Sequence, residues 1–74
     1  MNLYSVVYKF ELRGGRLNTT QLAKNEYQAE RLAKERLERR YSNFMKKNEI
    51  DSIDILSVKL IDENIDVEGM NDNH

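Results

Sequence analysis

Seventy-four residues, 39% hydrophobic and 34% charged with a net charge of −1, fit one small domain with a heavily charged surface. The chain has no cysteine, which excludes thiolate catalysis, thiol metal sites and disulfide support, and fits a reducing compartment. It also lacks any run of about 18 apolar residues, the length a membrane-spanning helix needs, so a cytoplasmic protein without a membrane partner is expected.

Leu3 to Leu12 alternates. Tyr4, Val6, Tyr8, Phe10 and Leu12 fall on one face, and Ser5, Lys9 and Glu11 on the other. Period-two alternation of aromatic and β-branched residues predicts a strand. Arg13-Gly14-Gly15-Arg16 follows. Two glycines suit a tight hairpin whose central residues take positive φ. A turn centred on them pairs Leu12 with Leu17 and Val6 with Ala23. The second strand is then expected from about Arg16 to Ala23, at a sheet edge.

Asn25 is a good helix N-cap, with Gln28 three residues on as in a capping box. Ala29, Leu32, Ala33, Leu37, Tyr41 and Phe44 then form one apolar stripe, with Tyr27 and Met45 at its border. No glycine or proline interrupts the run, so one long helix is expected from Asn25 to about Asn48. Glu30–Lys34 and Glu35–Arg39 are spaced to pair. Lys46 and Lys47 suit its C-terminal dipole.

Ile50 to Ile61 reads as a third strand, with Leu56, Val58 and Leu60 facing the helix and Ile53, Ile55 and Ile61 facing away. Residues 62–74 read as an acidic, flexible tail in which Ile65 and Val67 could add a short strand. The expected fold is thus α+β over residues 1–61: a β-hairpin, one long amphipathic helix and a third strand (β-β-α-β). The antiparallel sheet has the order 2-1-3, with the helix on one face and a right-handed crossover. The uncovered face would carry Leu3, Val7, Leu22, Ile55 and Ile61, a candidate homodimer face.

Catalytic sets are poorly served. The single histidine is His74, the last residue, so no Ser-His-Asp arrangement is expected. No phosphate-cradling glycine loop is present. Asp62-x-Asn64-x-Asp66 has alternating oxygen ligands, but Val67 stands where a calcium loop needs glycine. No enzyme, cofactor or metal site is expected. Charge is more informative. Residues 1–48 carry a net of +6 and residues 49–74 a net of −7. The candidate partner-binding residues are Arg13 and Arg16 at the hairpin tip and Arg36, Arg39, Arg40, Lys46 and Lys47 on the helix. Arg36 and Arg40 border the apolar stripe, where they either extend past the sheet edge or form a fixed pair suited to carboxylate or phosphate.

The hairpin, the capped helix Asn25-Glu26-Tyr27-Gln28-Ala29-Glu30-Arg31-Leu32-Ala33-Lys34-Glu35-Arg36-Leu37 and the final strand together resemble small phage and mobile-element proteins, among them some anti-CRISPR proteins. The resemblance is one of pattern and composition over about residues 3–61. It implies a stoichiometric binder that blocks a host defence or nucleic-acid-processing protein or nucleoprotein complex. Either the basic residues occupy an acidic or guide-contacting surface, or the acidic tail mimics nucleic acid on a basic groove. A nucleic-acid-binding module using the basic helix and a structural homodimer remain as alternatives.

Overall fold

The computed structural model describes residues 1–64. Strand β1 (Asn2–Phe10) is followed by β2 (Leu17–Ala23), helix α1 (Glu26–Arg40), a short helix α2 (Ser42–Lys47) and β3 (Ile53–Asp62). The strands form one antiparallel sheet of order β2-β1-β3, and the helices cover one face of it, as the alternation and the helical stripe predict. Asp62 closes β3. Asn64 is tied back to the start of β1 through its N–H, which donates to Asn2 Oδ1 at 3.0 Å. The rest of the expected acidic tail, including the Ile65–Val67 strand, Asp66 and His74, lies outside the described residues.

The hairpin is wider than expected. Val6 pairs with Thr19 and Tyr8 with Leu17, four residues out of the expected register. An even shift preserves the faces, so the apolar side of β1 still meets the helix. Chain reversal depends on Leu12, at φ 63°, and on the Arg13 N–H bonding Phe10 O at 3.0 Å. Gly14 and Gly15 both have negative φ. The expected glycine-centred turn is therefore replaced by a loop over residues 11–16. Its first residue is drawn to β3, because the Glu11 N–H donates to Ser52 O and the Glu11 carboxylate accepts from Ser52 Oγ at 2.7 Å.

The helix starts where the cap predicts. Asn25 Oδ1 accepts from the Gln28 N–H at 2.8 Å, and Gln28 Oε1 accepts from the Lys24 N–H at 2.7 Å. It does not run on to Asn48. Helical geometry breaks at Tyr41, with φ −102° and ψ 19°, and resumes at Ser42. The break turns Met45 into the core and leaves Phe44 46% exposed, the reverse of the expected stripe. Helix α2 ends with Glu49 at φ 57°, while the Ile50 N–H reaches back to Met45 O at 2.8 Å. That left-handed cap brings Ile50 and Met45 into one buried cluster.

Strand β3 corrects the expected faces. Its pairing with β1 skips Leu56 and Ile61, which lie at two bulges. One extra residue reverses the side-chain phase of a strand. Ile53 and Ile55 thus sit across from Phe10 and Tyr8, on the helix side, while Val58 and Leu60, beyond the bulge, sit across from Val6 and Tyr4 on that same side. Ile53 is fully buried, and Leu56 and Leu60, expected inside, are exposed. The core has two parts that share Ile55. Small Ala29 and Ala33 let α1 approach the larger Tyr4 and Val6. Further along, Leu37 and Met45 pack on Tyr8, Ile50 and Ile53.

Candidate functional site

The cations expected to act together are split by the fold. Arg36 is committed to the sheet. Its Nε donates to Gln21 Oε1 at 3.0 Å, and its Nη2 donates to Thr19 Oγ1 at 3.0 Å and to Thr20 O at 2.9 Å. A guanidinium fixed along one edge strand in this way acts as a brace. Arg36 is therefore not half of a free arginine pair with Arg40.

Arg40, one turn later, lies over the Tyr41 ring at 5.6 Å from its centroid, within cation–π range. Tyr41 packs edge-on against Phe10 at 5.5 Å, Phe44 lies 5.0 Å from Phe10, and Phe10 meets Tyr8 edge-on at 6.3 Å. Burial first, then the neighbouring Tyr41 hydroxyl, pushes the Tyr8 phenol above its ordinary value of 10.0, against the opposing pull of Arg40 and Arg36. Tyr8 is the buried floor of the cluster, while Tyr41 is half-buried and Phe44 stands out from the surface.

The loop over residues 11–16 leaves the sheet beside Phe10, so exposed Arg13 and Arg16 lie at this same end of the domain. With them is Leu12, 90% exposed, and Leu17, 43% exposed and paired with Tyr8. Arg39 is exposed in the last turn of α1, as are Lys46 and Lys47 in that of α2. This end joins aromatic rings, exposed leucines and cations contributed by two helices and a loop. The rings were missed in the sequence because a single unbroken helix turns Phe44 inward. One signal was available: Tyr41-Ser42-Asn43 is a run of weak helix formers at the observed break.

Two acids on α1 also have partners other than those expected. Glu38 accepts the Ile53 N–H at 3.1 Å, holding the start of β3. Glu35 pairs with Arg31 at 3.4 Å, and neither expected pair, Glu30–Lys34 or Glu35–Arg39, closes among the described residues.

On the uncovered face, Leu3 sits across from Leu22, and Val7 lies between Asn18 and Ser57. Polar neighbours interrupt them, including the Lys9–Asp54 ion pair at 3.2 Å. Ile55 does not belong to that face, since it packs on both core clusters. Ile61 sits exposed at the second bulge. A groove of about 410 Å³ runs between α1 and β3, lined by Tyr27, Glu30, Arg31 and Lys34 on the helix and by Ile53, Asp54 and Ile55 on the strand. No described helix is long and apolar enough to cross a membrane.

No family model, no curated protein and no solved structure matches the chain.

Proposed function

We propose that this chain is a small non-enzymatic binding protein of the phage or mobile-element type. It acts as an inhibitor or adaptor that occupies the surface of a host defence or nucleic-acid-processing protein in the cytoplasm. The observation that carries this reading is the cluster of half-buried Phe10 and Tyr41 with exposed Phe44, and Arg40 over the Tyr41 ring. Aromatic residues and arginine dominate the energetics of protein interfaces, because they bury large areas at little entropic cost while keeping polar handles. Arg13, Arg16 and Arg39 around them favour an acidic partner surface and speed its approach.

The test is capture by the tagged chain from a nuclease-treated host-type lysate, repeated with an Arg40→Glu, Phe44→Gln variant. Both side chains are exposed, so the variant is expected to stay folded. A protein retained by the natural chain should drop at least about tenfold with the variant, the loss expected when a hot-spot pair is removed. Equal retention by both chains would refute the assignment of this surface.

A second reading follows from the same rings. Tyr41 and Phe44 beside Arg40 could stack the bases of a single strand. A labelled oligonucleotide bound with a steep salt dependence, and no captured protein, would favour it.

A further inference from the structure

We propose that a second copy of this chain pairs with the first along the free edge of β3, making one continuous six-stranded sheet. The inference is independent of the partner reading above and concerns a different surface.

The two edges of the sheet are treated differently. On β2 two of the carbonyls that point outward are occupied: Thr20 O accepts from Arg36, and Leu22 O accepts from Gln21 Nε2 at 3.0 Å. Side chains that cover an edge in this way block the addition of another strand. On β3 only the first outward group is taken, the Ile53 N–H by Glu38. Backbone groups alternate in direction along an antiparallel strand. Ser52 O bonds the Glu11 N–H on the β1 side, and the Ile53 N–H points away from β1 to Glu38; carried along the strand and stepped in phase by the bulge at Leu56, this alternation turns the backbone groups of Ile55, Val58 and Leu60 outward. Those groups have no partner among the described residues.

The bulge at Leu56 selects the register. It puts Ile55 and Val58 both outward although they are three residues apart. A partner strand must carry the same break in phase at the same point. A second β3, antiparallel and related by a twofold axis between Leu56 and Ser57, does so. Ile55 then lies across from Val58 of the second copy, and Val58 from its Ile55. All four side chains fall on the helix side, so the apolar layer continues across the junction. On the other face Asp54 lies across from the second copy's Lys59, and Lys59 from its Asp54, giving two symmetric charge pairs. Lys59 makes no ion pair within its own chain among the described residues. Both helices lie on one side, and the groove between α1 and β3 becomes the cleft between them. Glu30 and Lys34, which line the groove without closing on each other, face the second copy's helix. Leu56, Leu60 and Ile61, exposed in the single chain, lie at this junction. Bulges blunt an edge against indiscriminate pairing, and here they leave one register in which both copies match.

The natural chain lacks cysteine, so introduced thiols report the register cleanly. Asp54 and Lys59 are five residues apart, roughly 16 Å along a strand, too far to bridge within one chain. Across the proposed junction they form a closely spaced pair without mutual backbone bonds, where a disulfide fits. Asp54→Cys mixed with Lys59→Cys in the full chain should oxidise to a mixed covalent dimer, and neither variant alone should do so. The natural chain should sediment at twice its 8.8 kDa mass, dissociating on dilution. Lys59→Glu should weaken the dimer about tenfold through two repelling pairs, less so in high salt. A monomer at all concentrations, or a dimer in which the mixed variants fail to cross-link, would overturn the proposal. The second of these outcomes would move the contact to another surface, such as the Leu3, Val7 and Leu22 face.

Discussion

At the scale of single residues, the side chains that look most available for function are partly structural. Arg36 is the clearest case. Its three hydrogen bonds tie the middle of α1 to the β2 edge, and bonds from a charged donor contribute about 1.5–3 kcal/mol each before their partners are resolvated. Because the site is half-exposed, Arg36→Met, which keeps the aliphatic stem, is expected to cost about 2 kcal/mol in total by urea unfolding. Lysine should restore little of it, since a point-like ammonium cannot serve three acceptors set for a planar fork. A loss below about 0.5 kcal/mol, the level of an ordinary surface substitution, would contradict the brace. Tyr8 supports a second expectation. Its folded pKa is raised above 10.0, so the fold favours the neutral phenol. That stabilisation is complete below pH 10.0 and is lost as pH rises through the raised value. Unfolding compared at about pH 8 and about pH 11 should show a larger alkaline loss in the natural chain than in Tyr8→Phe. Equal losses would mean that Tyr8 does not carry it.

At the scale of elements, the ends and breaks hold the tension. Helix α2 closes with a left-handed residue, and that residue is Glu49 rather than glycine. A non-glycine residue there has a steric cost, and Glu49 is exposed with no side-chain bond among the described residues. Glu49→Gly is therefore expected to raise stability by about 0.5–1 kcal/mol, read as a shift in the urea midpoint. Destabilisation would show that the carboxylate has a role of its own. Local sequence pattern identified the three described strands, the Asn25 cap and the sheet order, because alternation, capping chemistry and short connections are local or nearly local signals. It missed the Tyr41 break, which is set by packing: the chain turns there so that Met45 and Ile50 join Ile53 under Leu37. It missed the β3 phase for a related reason. A bulge inserts one residue without any mark in composition, so a single parity carried through the strand puts Ile53 and Ile55 on the wrong face. It also placed the positive φ of the hairpin on the glycines. With negative φ and open space at both positions, Gly14→Ala should stabilise by about 0.4–1 kcal/mol through the unfolded chain.

At the scale of the whole molecule, the features that do least for folding gather at one end. Leu12 is 90% exposed and held at φ 63°, two departures from what stability alone would select. At the same end Phe44 stands out from the aromatic cluster, and Arg40 caps Tyr41. The sequence identified Arg13, Arg16 and Arg40 as cations of interest, but it could not separate them from Arg36, because an arginine bracing a sheet edge and an arginine awaiting a partner occupy the same helical face. Folding distinguishes them by what each guanidinium reaches. Departures from local rules that cluster on a surface, rather than scatter over it, mark selection for something other than stability. That argument sets stability and binding against each other at a single position. Leu12→Gly removes the strained φ and an exposed apolar side chain with no packing to lose, so the urea midpoint should rise, equivalent to about 0.5–1 kcal/mol. If the aromatic end engages a partner, the same substitution should weaken capture several-fold, because Leu12 would be buried only in the complex. Greater stability with unchanged capture would leave Leu12 as a simple loop residue and confine the binding surface to Arg40, Tyr41 and Phe44.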